Sequence, residues 1–353
     1  MNFKKLLADN NIDALIISDP YNMRYLSGFT GEGYVYVSEN RLEIITDSRY
    51  TTAAGHEKKD GFLVEETSLS KNAYAIIEGL ILADKAGGVG YEDLCMICHD
   101  FELLRKHCAG AKLIPLGDAL NRLRIIKTPE ELELLRTAES IGDMAFSHIL
   151  EALRPGMTEL EVAAELEYSM KKNGAEGLSF STIAASGLNS ACPHAVPSDK
   201  PLEKGDFLTM DFGCIYKGYC SDMTRTVVIG KANDRQRDVY NTVLKAQTEA
   251  MKHIRSGVIG ADIHKVAADV IAAAGYGGFF GHGLGHSVGL YIHENPRFSP
   301  GEKKAVYAGT IETVEPGIYI PDFGGVRIED MIVITENGYE NFSHSPKELI
   351  EIN

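Results

Sequence analysis

The chain has 353 residues, 44% of them hydrophobic, which is enough for a sizeable core and suggests about two domains. Its net charge of −15 argues against nucleic acid or an anionic membrane as partner. No apolar run reaches the roughly 18 residues a membrane span needs, and the first residues, "MNFKKLLADNNIDALIISD", lack a signal-peptide core, so a soluble cytoplasmic protein with six reduced cysteines is expected.

In chain order, that opening stretch reads as an amphipathic helix leading into a strand. "GYVYVSENRLEIITD" reads as two strands turned at Glu39-Asn40, "NAYAIIEGLILADKAG" as a helix ending at Gly87, and "GGVGYED" as the start of the next strand. Strands alternating with helices predict an α/β domain over residues 1–122. Within it, "CMICH" matches the C-x-x-C-H haem-attachment string. The packing alternative is preferred, with Cys95, Cys98 and Leu94 on one face of an apolar helix, and neither haem nor zinc is expected.

A second domain, 123–353, begins with a full helix-start signature: Thr128 as N-cap, Pro129 at the first helical position and Glu131 closing a capping box. Thr158 and Glu161 repeat that grammar, and Gly174 ends the second helix. The strand-like segments "LSFSTIAAS", "DFLTMDFGCIY" and "GYCSDMTRTVVIG" follow. Two more helices, "NDRQRDVYNTVLKAQTEAMKHIRSG" and "GADIHKVAADVIAAAG", precede further strands, including "GTIETVEPGIYI" and "GGVRIEDMIVIT". Helix, helix, strands, twice over, is a duplication of organisation. It makes a site between the two halves plausible.

Each half carries a pair of carboxylates that ought to repel. A hairpin turning at residues 216–218 sets Asp211 opposite Asp222, and one turning through residues 321–324 sets Glu315 opposite Glu329. Like charges directly opposite across strands are destabilising, and a pair of metal ions between them converts the repulsion into coordination. "GHGLGHSVGLYIHENP" (281–296) supplies nitrogen through His282, His286 or His293. His282 and His286 share strand parity and His293 does not, so spacing alone leaves the assignment open. The glycines there let backbone and substrate come close. Four carboxylates and one imidazole form an oxygen-rich set suited to Mn²⁺, with Co²⁺ or Zn²⁺ as alternatives.

Together these stretches resemble the pita-bread metallopeptidases: Xaa-Pro dipeptidase (prolidase), aminopeptidase P and, more distantly, methionine aminopeptidase. The resemblance runs from about residue 125 to the end. It extends to the N-terminal part, where "YLSGFTG" and "TDSRY" are similar to the creatinase-type domain of the proline-specific branch. It implies an α/β N-terminal domain followed by a pita-bread catalytic domain with pseudo-two-fold symmetry. By motif it implies that Asp211 binds one metal, Asp222 and Glu329 bridge both, and His286 and Glu315 bind the second. His194, His293 and Arg327 match the family's substrate and transition-state residues, and His282 matches a pocket histidine. One departure is "GTIETVEPG", which places Thr310 and Glu312 where the family has apolar residues; alternation puts Glu312 on the face opposite Glu315, toward solvent or a neighbouring chain.

The mechanism so implied is attack on an Xaa-Pro bond by a hydroxide shared between two divalent ions. His293 or His194 stabilises the oxyanion, and Glu315 carries the proton to the leaving nitrogen. A dipeptide's free carboxylate needs a cation, for which Arg327 and Arg297 are candidates. The expected partners are a short proline-containing peptide and a second copy of the chain. The alternatives are a methionine aminopeptidase, which usually lacks such an N-terminal domain, and a metal-free creatinase-like or peptide-binding protein, which loses ligands that this chain retains.

Overall fold

Runs of consecutive buried residues, such as Ala14–Ile17 and Val35–Ser38, mark a sheet covered on both faces. The computed structural model describes residues 3–108 and 110–353 and divides into one unit through Arg124 and another from Ile125. Among the described residues, the first unit holds a sheet of six strands, in the order 63–66, 42–46, 34–38, 14–17, 88–91, 112–115. Strand alternation sorts side chains to two cores. Leu15, Ile17, Val35 and Val37 enter one core with helices 3–9 and 20–27. Ala14, Ile16 and Tyr36 enter the other with Ile77 and Ile81 of helix Ala73–Asp84.

Two local expectations are corrected here. Helix Ala73–Asp84 stops before Gly87, because Lys85 itself takes the left-handed turn with φ 54°. Cys95 and Cys98 do not share a helix face: extended Ile97 caps helix Cys98–His107, so the string straddles the helix start. Both thiols are exposed, as are Leu94 and Ile97, and the buried residue of that helix is Leu104.

In the second unit, helices Pro129–Ala152 and Glu159–Lys172 each open with a complete capping box, Thr128 with Glu131 and Thr158 with Glu161. Helix Asp234–Met251 opens with a third, Asn233 with Gln236. The first helix pair shares a core with strands 207–212 and 223–229. The second pair, 234–251 and 260–273, shares another with strands 311–314, 317–320 and 330–334. The duplicated organisation is therefore real: each half lays two helices on its own strands. Among the described residues, no helix is long and apolar enough to cross a membrane.

Register places the acidic residues. Strand 207–212 pairs antiparallel with 223–229 so that Asp211 faces Thr224, not Asp222. Asp222 lies just before that strand, two residues out of the expected register, because the hairpin tip turns at Lys217-Gly218. In the other half the ladders 311–314 with 330–333 and 317–320 with 324–327 share one register. By continuity Glu315 stands opposite Glu329, at the gap where Pro316 has no N–H to donate.

Candidate metal centre

Four of the five expected ligand positions lie beside strand ends or breaks in a ladder, namely Asp222, His286, Glu315 and Glu329, and Asp211 is the penultimate residue of its strand, paired with Thr224 and Ile183. Asp211, Asp222 and Glu329 each bring a carboxylate oxygen within 4.8 Å of the others. His286 joins them: its Nε2 is 3.4 Å from Asp222 and 3.5 Å from Glu315. With ligand bonds of about 2.1 Å, two donors on one ion stand roughly 3.0–3.5 Å apart.

In Asp211, Glu329, Glu315 and His286 one oxygen or nitrogen is tied to the protein, and this orients the other. Arg327 Nη2 donates to Asp211 Oδ2 at 2.6 Å, and Asp211 Oδ1 is left buried without a partner. Thr224 donates to Glu329 Oε2 at 2.6 Å, and Thr313 to Glu315 Oε1 at 3.1 Å. His286 Nδ1 lies 3.2 Å from the Ser287 carbonyl, so it carries the proton and Nε2 presents a lone pair. Gly285 makes this approach possible, since a Cβ there would collide with the Thr313 carbonyl.

The electrostatics are those of a site short of positive charge. Burial, then the charges of Glu329, Asp211 and Glu315, pushes Asp222 well above the usual carboxylate range. Burial followed by the charges of Glu315 and Asp211 does the same to Glu329. Burial raises Glu315 to about 8. Burial also lowers His286 to about 3, so its neutral lone pair faces two carboxylates. A divalent cation relieves all of these at once.

The other expected residues surround the same cavity, of about 420 Å³. His194, His282, His293, Arg297 and Arg327 all line it. The His293 ring meets the His286 ring edge-on with centroids 4.7 Å apart, and burial, then the Arg297 charge, lowers its pKa. His282 Nε2 lies 3.0 Å from the Tyr319 hydroxyl. Buried Arg327 uses four of its five N–H donors inside the protein: besides Asp211 it donates to the Tyr319 hydroxyl at 2.7 Å, Thr224 Oγ1 at 3.1 Å and the Pro193 carbonyl at 3.3 Å.

Residues 133–336 match Metallopeptidase family M24, and residues 1–126 match the Creatinase/Prolidase N-terminal domain. The chain belongs to metallopeptidase family M24. Relatives in this family match it end to end. An Xaa-Pro dipeptidase of Pyrococcus furiosus is 38% identical over 98% of this chain and 97% of its own. The structure of an Xaa-Pro dipeptidase from Bacillus anthracis superposes with a TM-score of 0.95 at 39% identity, covering 99% of this chain and 98% of that one. An X-Pro aminopeptidase from Thermotoga maritima gives 0.92 at 37%, covering 99% and 100%. Family M24 implies divalent metal ions. The partnerless Asp211 oxygen, the crowded carboxylates and the bare His286 nitrogen fit them.

Two features beside the site escaped sequence reasoning. Lys127, buried with its ammonium 3.0 Å from Glu294 and 3.4 Å from Ser287 Oγ, ties together the strands 285–287 and 294–298 that carry His286 and follow His293. Nothing in "IKTPEE" separates it from a surface lysine. The other is Glu312, expected toward solvent or a neighbouring chain but fully buried within this chain, with both carboxylate oxygens lacking a partner. The strand is covered on both faces, so alternation does not lead to water. Burial lifts the Glu312 pKa well above the usual range, against the charges of Lys127 and Arg297 and with that of Glu302. Because this folded pKa is raised, the penalty is absent below the unfolded pKa of about 4.3 and grows as pH rises. Glu312→Leu should therefore stabilise the chain by about 1–3 kcal/mol at pH 8 and by much less near pH 4, read from urea midpoints. An equal gain at both pH values would contradict a buried neutral acid.

Proposed function

We propose that this chain is an exopeptidase that hydrolyses the Xaa-Pro bond of short peptides at the cluster of Asp211, Asp222, His286, Glu315 and Glu329. The observation that carries the reading is the Arg327-anchored carboxylate cluster with His286 in the lining of a cavity that His194, His282 and His293 also line. Full-length similarity to proteins named Xaa-Pro dipeptidase and X-Pro aminopeptidase supports the substrate class. Asp211, Asp222, His286, Glu315 and Glu329 would hold the divalent ions. When bound, such ions lower the pKa of water and polarise the scissile carbonyl. The oxygen-rich set favours Mn²⁺, with Co²⁺ or Zn²⁺ as alternatives.

The chain's own groups do the rest. His293, kept neutral by burial and Arg297, donates a hydrogen bond to the developing oxyanion together with His194. Glu315 takes the proton of the attacking water and delivers it to the prolyl nitrogen. That nitrogen belongs to a tertiary amide without N–H, so the site must recognise proline by shape rather than by an amide hydrogen bond. His282, fixed by Tyr319, is a pocket wall for this. With four of the five Arg327 donors already used inside the protein, Arg297 is the stronger partner for a substrate carboxylate. The same reading includes a creatinase-like domain over 1–122, a catalytic domain over 123–353, a homodimer and a cytoplasmic location. Six free cysteines support the last of these.

Mn²⁺-loaded protein should cleave Ala-Pro and Met-Pro. Amidating their C-terminus should cost on the order of 1.5–3 kcal/mol, as expected for a charged hydrogen bond, and Arg297→Ala should erase that difference. Preference for Xaa-Pro-Xaa tripeptides with harmless amidation would make it an aminopeptidase P. Release of methionine from Met-Gly-Xaa with every Xaa-Pro bond ignored would overturn the reading in favour of a methionine aminopeptidase.

A further inference from the structure

Glu159 opens the helix Glu159–Lys172, and its side chain is fully buried. It is not needed as a cap, since Thr158 and Glu161 already form the capping box. Its carboxylate instead serves a loop. Oε1 accepts from Ser186 N at 2.6 Å, Ser186 Oγ at 2.8 Å and Asn189 Nδ2 at 3.1 Å. Oε2 accepts from Ser198 N at 3.0 Å, Ser198 Oγ at 2.6 Å and again Asn189 Nδ2 at 3.1 Å. Two backbone bonds reinforce the far foot: Glu159 N to Lys200 O and Leu160 N to Ser198 O, both 3.1 Å. These hydrogen bonds hold the Glu159 carboxyl below its ordinary pKa although burial alone would raise it.

Between the two feet runs the segment that carries Pro193, His194 and Val196 into the cavity lining. Its head is lightly held. Val196 is 80% exposed and His194 is exposed, while the Pro193 carbonyl accepts from Arg327 at 3.3 Å. Six hydrogen bonds to one carboxylate at the base, against few at the tip, make the base the place where the loop's position is decided.

We propose that Glu159 is a positioning residue for substrate engagement: by clamping Ser186, Asn189 and Ser198 it sets where His194 stands over the cavity. The inference rests on the reading of His194 as a substrate residue. Glu159 touches neither substrate nor the carboxylate cluster, so its effect must pass through the loop.

The test uses full-length Mn²⁺-loaded enzyme. Glu159→Gln keeps the shape but turns an amide donor toward the loop's own donors. Misplacing a substrate group by about 1 Å can lose some 100-fold, so kcat/KM for Ala-Pro should fall by about 10- to 100-fold, mostly in KM, while Mn²⁺ affinity stays unchanged. Combined with His194→Ala, it should lose no more than His194→Ala alone. The chain has no tryptophan, so Val196→Trp reports the loop head by itself, and its fluorescence anisotropy should drop when Glu159→Gln is added. Ser198→Ala, which removes a single hydroxyl donor, should move the same readings less far and serves if Glu159→Gln folds poorly. Additive losses with His194→Ala, or weakened Mn²⁺ binding at unchanged anisotropy, overturn the proposal. A silent His194→Ala overturns the role given to that histidine, and the clamp is then decided by anisotropy alone, with an unchanged value refuting it.

Discussion

Asp222→Asn and Glu329→Gln should each abolish hydrolysis while the fold survives. Each replaces one anion of a cluster whose oxygens lie within 4.8 Å of one another by a neutral amide. The loss should exceed about a thousandfold, or some 4 kcal/mol of barrier, together with at least one bound ion. Stability should move the other way. In the metal-free protein, burial and mutual repulsion raise Asp222 and Glu329 well above the usual range and Glu315 to about 8. Groups whose folded pKa is raised weaken the fold as pH climbs from the unfolded value toward the folded one. The chelated wild type should therefore lose stability between about pH 4.3 and pH 8, and the two variants should lose less. Full activity in either variant would remove that residue from the centre.

Lys127→Ala should be among the most destabilising single changes in the second unit, by about 3–5 kcal/mol. The Lys127 and Glu294 side chains are 1% and 4% exposed, so removing the ammonium takes a buried cation away from 3.0 Å of a buried carboxylate. The same change withdraws the Lys127 charge that offsets the burial of Glu312. Denaturant midpoints of chelated protein measure this free of metal linkage. Lys127→Met combined with Glu294→Gln should recover much of the loss, because it removes both charges from the interior. A loss below about 1 kcal/mol, typical of an exposed pair, would show that the ion pair is not buried in solution.

Much of this architecture was written in local patterns. Thr128-Pro129 with Glu131, and Thr158 with Glu161, announce two helices because caps are short-range chemistry. The opposition of Glu315 and Glu329 followed from strand parity, since one register spans both flanking ladders. The Asp211–Asp222 opposition did not follow, because the tight turn at Lys217-Gly218 shifts the pairing by two residues and sequence does not mark the turn's phase. What burial decides was hidden. Glu312 alternates correctly yet has no solvent to meet, and Lys127 finds Glu294 some 167 residues away. Cys95 and Cys98 failed for the opposite reason, since an apolar string that straddles a helix start has no common face to bury.

The most direct measurement is the Mn²⁺ stoichiometry of chelated protein, titrated by calorimetry and checked by elemental analysis. Asp211, Asp222, His286, Glu315 and Glu329 should take up two ions per chain, with Glu329→Gln holding at most one. A wild-type chain that binds no ion, yet still cleaves Ala-Pro, would contradict the account at its centre.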